Sequence, residues 1–149
     1  MENEHEYHVV AWGTSGQAGI AKSDSAQNAI HFAAPAQFGG LKGRWTPEDL
    51  LIAALASCFT TTFHAIARNA KLEYTDLEVE AEANVSKTGT GYSFSEIIIR
   101  PSLTIPNEDK REQASSLLQK AKELCLISRA LAIPQIFETR VEIGNRSHV

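Results

Sequence analysis

The stretch TPEDLLIAALASCF at residues 46–59 decides the fold. Thr46 can cap a helix, Pro47 suits the first helical position, and the two acids that follow face the positive end of the helix dipole. The sequence therefore predicts a helix from Pro47 to about Ala70. Because its residues are apolar on nearly every side through Phe59, we expect it to be buried in a core or in a subunit interface.

Length and composition indicate one globular domain over residues 1–149, with an ordered core over about residues 7–143. The chain has 149 residues, of which 43% are hydrophobic and 21% charged, an ordinary globular composition. Its net charge of −4 argues against nucleic acid and anionic membranes as partners. No apolar run reaches the roughly 20 residues that span a bilayer, and the acidic N-terminus does not match a secretory signal. We therefore expect a cytoplasmic protein.

The rest of the chain predicts strands on both sides of this helix and a second helix after them. We expect three short strands before the first helix and a hairpin after it, over residues 8–12, 19–22, 29–33, 77–85 and 94–105. Pro101 indicates an edge position or a bulge. Asn107 can cap a second helix, over about 108–131, and a last strand covers 137–143. The order βββ-α-ββ-α-β predicts the α+β class.

Cys58 and Cys125 are the only thiols, 67 positions apart, and each lies in a predicted helix. Two cysteines in a reducing compartment are more often free or catalytic than structural, although a buried free cysteine also packs as a small apolar residue. The sequence has no Cys-x-x-Cys and no clustered histidines, so we expect no zinc site.

Four segments together resemble the OsmC/Ohr family, the osmotically inducible and organic hydroperoxide resistance proteins. They are residues 45–59, the Phe-Gly-Gly at 38–40, LEYTDLEV at 72–79, and AKELCLISRAL at 121–131. The resemblance covers about residues 7–143. It implies an OsmC-like fold, in which two main helices, one central and buried, pack on an antiparallel sheet, and an intertwined homodimer with two active sites at the interface.

The same resemblance implies thiol-dependent reduction of organic hydroperoxides or hydrogen peroxide. Cys58 would be the peroxidatic thiol and Cys125 the resolving thiol, joined by an intramolecular disulfide that an external dithiol or redox protein reopens. Glu48 matches an assisting glutamate of the family. No metal or organic cofactor is required.

The spacing of Glu48 and Cys58 has a geometric consequence. Ten residues of continuous helix span about 15 Å, so the two side chains cannot meet on one straight helix. Either the helix breaks between them or Glu48 reaches Cys58 of the partner subunit, and a shared site therefore predicts a dimer.

The sequence departs from the family at its active-site arginine. In the family that arginine lies in the early strand–turn region, where Ile20 stands in this chain. Lys22 lies two residues on and shares a strand face with Ile20. Arg44, just before the first helix, is the best substitute, and Arg129, one turn after Cys125, could serve that thiol instead.

A second departure is Leu126, which stands where the family commonly has a proline after its second cysteine. We expect this change to leave the second helix more regular. Two alternatives to the peroxidase remain open: a dimer of the same fold that binds an apolar ligand or a partner without peroxidase chemistry, which the apolar Ile20 would suit, and a thiol-based peroxide sensor.

Overall fold

A computed structural model describes residues 3–144, and the chain divides into two compact units, Met1–Leu51 and Ile52–Val149. The first unit is a three-stranded antiparallel sheet of β1 (Val9–Thr14), β2 (Ala18–Ser23) and β3 (Ile30–Ala33). The β1–β2 turn places Gly16 and Gln17 at positive φ, 79° and 51°. A short 3-10 turn, Ala36–Phe38, lies in the loop after β3.

Helix α1 covers Pro47–Ala70, the span that the sequence predicts. It begins with a reciprocal cap, because the N–H of Asp49 donates to the Thr46 hydroxyl and the N–H of Thr46 donates to the Asp49 carboxylate, both at 3.0 Å. These two bonds satisfy backbone donors that a helix start leaves free. The first turn belongs to the first unit, and the remainder of α1 belongs to the second.

The second unit contains a four-stranded sheet. Strands β4 (Asp76–Thr88) and β5 (Gly91–Ile105) form the expected antiparallel hairpin, whereas β6 (Gln135–Phe137) and β7 (Arg140–Ile143) both pair with β5 in parallel. The α+β class is confirmed. Two details are corrected: this sheet is mixed rather than antiparallel, and the single strand expected over 137–143 is two short strands.

Pro101 explains why the last strand is divided. It lies in β5, which is the central strand and not an edge, so the expected edge position is wrong. Strand β6 ends opposite Ile99 and β7 begins opposite Ser102. The interruption therefore falls beside Pro101, which has no N–H to donate to a neighbouring strand.

The second predicted helix is broken. A 3-10 turn at Glu108–Lys110 leads into α2 (Arg111–Leu124), and a separate short helix, α3 (Leu126–Ala130), follows. Asn107 precedes the 3-10 turn but makes no side-chain cap. The expectation of a more regular helix around Leu126 is therefore wrong, because Cys125 between α2 and α3 has extended backbone (φ −61°, ψ 115°).

The core of the second unit joins α1, β5 and α2. Its buried residues form one cluster: Leu55, Phe59, Phe63, Ile66, Ala67, Leu72, Ile97, Ile99, Leu103, Ile105, Ala114, Leu118, Ala121 and Cys125. Alternate residues of β5, Ile97 and Leu103 among them, face this core. Cys125 therefore lies inside the hydrophobic core.

Helix α1 is long and apolar enough by composition to cross a membrane, contrary to the expectation that no segment is. One such helix is weak evidence, because the core helix of a globular protein has the same length and composition. Only 22% of its most apolar 18-residue window is buried within the chain, so much of α1 is not covered by the core of this chain.

Candidate functional site

Cys58 lies at the border of the stripe that α1 buries. Leu55 and Phe59 are fully buried, whereas Cys58 is half-buried and packs against the edge of the core. Fixed neighbours on the same helix therefore hold its position, while part of its side chain remains open to solvent.

Cys125 lies at the break between α2 and α3 and is fully buried. Its N–H donates to the carbonyl of Ala121 at 2.9 Å, which ends α2, and its carbonyl accepts from the N–H of Arg129 at 3.1 Å, which begins α3. The extended conformation at Cys125 ends the regular hydrogen bonding of α2, and the following residues begin a new helix.

The structure brings the two cysteines together. Both thiols are reduced, and they lie close enough for each to shift the pKa of the other. For Cys125, burial and the interaction with Cys58 raise the pKa, outweighing the N–H of Ser128, which acts in the opposite direction. Cys125 therefore keeps its proton and serves as a donor.

The pKa of Cys58 shifts the other way. Burial alone would raise it, but four hydrogen bonds to its sulfur outweigh burial and lower the pKa below that of a free cysteine. The donors, in order of effect, are the N–H of Ile127, the thiol of Cys125, the hydroxyl of Thr62 and the N–H of Leu126. Cys58 is thus the thiol of the pair that more readily becomes the nucleophilic thiolate.

All four donors to Cys58 within the second unit are uncharged. The Thr62 hydroxyl lies 3.9 Å from the sulfur, one turn further along α1. We did not anticipate Thr62 from the sequence, although its i, i+4 spacing from Cys58 is the signal that could have found it. The amides of Leu126 and Ile127 carried no such signal, because they are available only through the break at Cys125.

The first unit holds two further predicted site residues. The guanidinium of Arg44 donates to the carbonyl of Gly19 at 3.5 Å, beside Ile20 on β2. One carboxylate oxygen of Glu48, Oε1, is buried and has no hydrogen-bond partner among residues 3–144. Helix α1 is unbroken over Pro47–Ala70, so the expected alternative of a helix break between Glu48 and Cys58 is wrong.

The remaining candidate cations have other surroundings. The ammonium of Lys22 lies over the ring of Trp12, 5.9 Å from its centroid. Arg129 is exposed on α3. In the part of the chain that the structure describes, no group of three or more His, Cys, Asp or Glu side chains could hold a metal ion.

The chain belongs to the OsmC-like protein family, whose sequence pattern matches residues 39–140 and so includes both cysteines. It is 29% identical to the uncharacterized protein YmaD of Bacillus subtilis (strain 168), over 97% of this chain and 99% of that protein. It is 28% identical to the organic hydroperoxide resistance protein of Xanthomonas axonopodis pv. citri (strain 306), over 83% and 86% of the two chains.

A third relative is the peroxiredoxin OsmC of Escherichia coli (strain K12), 28% identical over 64% of this chain and 65% of the relative. Among solved structures, an OsmC-like protein of Vibrio cholerae superposes with a TM-score of 0.81 at 19% identity, over 91% of this chain and 99% of that one. The structural likeness confirms the OsmC-like fold. The names of the two functionally named relatives support a peroxide-related function at the level of the family.

Proposed function

We propose that this protein reduces hydroperoxides by thiol chemistry, with Cys58 as the peroxidatic thiol and Cys125 as the resolving thiol. The observation that carries the proposal is the proximity of the two thiols at the edge of one core, where the pKa of Cys58 is lowered and that of Cys125 raised. One thiol is thereby favoured as a nucleophile, and the other is held protonated beside it.

The reaction has two steps. The Cys58 thiolate attacks one peroxide oxygen and breaks the O–O bond, which leaves Cys58–SOH and an alkoxide that takes up a proton to become the alcohol. The thiol of Cys125 then attacks the Cys58 sulfur, forms the disulfide and expels the hydroxyl as water. An external dithiol or redox protein returns both cysteines to thiols, and we place the protein in the reducing cytoplasm, where such reductants occur.

We propose Arg44 as the cation that replaces the missing family arginine. Its hydrogen bond to Gly19 brings the guanidinium to the strand position beside Ile20, where the family arginine is expected. A guanidinium would stabilise both the thiolate and the oxyanion that leaves the peroxide. Arg44→Ala should slow peroxide consumption about a hundredfold, while Arg68→Ala, an exposed arginine of α1, should not. Equal rates of peroxide consumption in Arg44→Ala and Arg68→Ala would show that Arg44 has no role in the reaction.

We propose that Glu48 acts on Cys58 of the partner subunit in a homodimer. The buried, unpartnered Glu48 oxygen is costly in an isolated chain and calls for a donor from elsewhere. Much of the apolar surface of α1 is exposed, and Trp12 and Trp45 are 51% and 55% exposed. A second subunit would bury this apolar surface. Sedimentation should give twice the monomer mass, and a monomer would contradict the shared site.

The test of the chemistry is stoichiometric oxidation. One equivalent of cumene hydroperoxide should consume two thiols in each chain and lower its mass by about 2 Da, the loss of two hydrogens. Cys58→Ser should consume no peroxide. Cys125→Ser should stop at the sulfenic acid, which dimedone traps.

The outcomes separate the alternatives. If both thiols stay reduced, the peroxidase is wrong and an apolar binding function of the same fold gains support. If the disulfide forms but dithiols and redox proteins do not reopen it fast enough for turnover, a peroxide sensor is favoured instead.

A further inference from the structure

Ser128 and Gln135 form a two-point clamp between α3 and the sheet. The Ser128 hydroxyl donates to the side-chain oxygen of Gln135 at 2.6 Å, and the Gln135 amide donates back to the Ser128 carbonyl at 3.0 Å. Ser128 is 9% exposed, and Gln135 begins β6, where it lies opposite Ile97 on the central strand. The clamp therefore ties α3 to one of the most buried parts of the sheet.

The clamp acts directly on the residues around the two thiols. Ser128 lies one turn after Cys125, and its N–H donates to the Cys125 sulfur. The two residues between them, Leu126 and Ile127, supply the backbone donors to Cys58. A shift of Ser128 would therefore move the Cys125 thiol and both amides together.

The break at Cys125 needs such a constraint because the sequence does not impose it. A proline at 126 would disfavour helical backbone at Cys125, but Leu126 imposes no such restriction. With leucine there, continued helix is sterically allowed through 125 and would leave α2 and α3 as one helix. Contacts outside the local sequence therefore hold Cys125 extended. Ile127 packs against the core, and the clamp adds two hydrogen bonds that anchor α3 to the sheet.

We propose that Ser128 and Gln135 are positioning residues for disulfide formation, holding Cys125 and the first turn of α3 against Cys58 in place of a proline. This inference rests on the proposed function. The clamp acts mainly on the second chemical step, because α1 fixes Cys58 itself. Its loss should also displace the amides of Leu126 and Ile127 and so shift the pH profile of Cys58 alkylation to higher pH.

The first test removes the clamp without removing volume. Ser128→Ala and Gln135→Met should each slow disulfide formation about tenfold, the factor that corresponds to one net hydrogen bond. The sulfenic acid should accumulate, and dimedone should trap more of it than in the wild type. Ser116→Ala and Gln119→Met, exposed positions on α2, serve as matched controls and should leave the rate unchanged.

The second test asks whether a proline can replace the clamp. In the Ser128→Ala background, Leu126→Pro should restore most of the rate, because proline suits the first helical position and favours extended backbone before it. It also deletes one N–H donor to Cys58, so the pH profile of Cys58 alkylation should stay shifted to higher pH. If the clamp only stabilised the fold, the rate of disulfide formation and the pH profile of Cys58 alkylation should recover together or not at all.

A third measurement keeps this inference apart from the peroxidase proposal. Diamide takes two hydrogens from a pair of thiols and forms the same disulfide without a peroxide. If the wild type ignores peroxide, the peroxidase proposal fails, yet slower diamide oxidation of both clamp variants still supports the positioning role. Wild-type rates with diamide in both variants, folded by circular dichroism, would overturn it.

Discussion

Phe59 offers a direct test of how α1 is held beside the rest of the second unit. It follows Cys58 on α1, is fully buried, and its ring centroid lies 5.7 Å from that of Phe137, with the planes tilted by 55°. Truncation of a buried phenylalanine to alanine costs about 3–5 kcal/mol. About 0.5–1.5 kcal/mol of that belongs to the ring pair itself. The loss is a large share of the roughly 5–15 kcal/mol that stabilises a typical domain.

Urea denaturation of the reduced protein, monitored by far-ultraviolet circular dichroism at one fixed protein concentration, measures this loss of stability for Phe59→Ala. Tyr7→Ala is the matched control, because Tyr7 is 84% exposed and its truncation should change the free energy of unfolding by only about 0.5 kcal/mol. A cycle with Phe137→Leu isolates the ring pair. A loss for Phe59→Ala no larger than that of the control, or a coupling near zero, would refute the packing described above.

Three further predictions concern the site and the loop before α1. Thr62→Val should shift the pH profile of Cys58 alkylation to higher pH, because it deletes one of the donors that lower the pKa of Cys58, and Thr62→Ser should not. Gly40→Ala should destabilise the protein more than Gly13→Ala, by about 1–3 kcal/mol, because a Cβ at Gly40 would lie 1.7 Å from a carbonyl oxygen, whereas a Cβ at Gly13 would meet nothing within 4 Å. Urea titration of both variants compares them. In Cys58→Ser the remaining thiol, Cys125, has a pKa raised by burial, so its stabilising contribution is complete below the pKa of an unfolded cysteine and is lost as the pH rises through the folded value. Its unfolding free energy, measured at a series of alkaline pH values, should therefore fall more steeply than that of the wild type, in which the lowered pKa of Cys58 acts in the opposite direction.

Local sequence patterns were sufficient to predict the elements that residues close together in the sequence determine. The cap at Thr46, the proline after it and the apolar run that follows predicted the start of α1, and the alternation of β4 and β5 predicted their hairpin. These signals depend on residues a few positions apart, which is the range over which propensity and periodicity act.

The errors have causes that lie far away in the sequence. The direction of β6 and β7 depends on pairing with residues of β5 that lie 38 positions earlier, and the gap between β6 and β7 depends on Pro101 in that strand. The break at Cys125 has no local signal at all, because Leu126 is a good helix former. Reasoning from the sequence found both thiols but missed the donors between them, since those donors are backbone groups whose availability depends on the break.

That break accounts for the chemical difference between the two thiols. Burial acts to raise the pKa of both cysteines, so burial alone cannot decide which becomes the thiolate. In a continuous helix the N–H groups of Leu126 and Ile127 would bond to carbonyls four residues earlier and could not reach a sulfur. Because Cys125 is extended, α3 begins anew and its first amides are free of intrahelical partners, so they can donate to Cys58. One backbone conformation thus places the Cys125 thiol beside Cys58 and supplies amide donors that lower the pKa of Cys58. A variant that restored continuous helix at Cys125 should therefore lose both properties together, even with both cysteines intact.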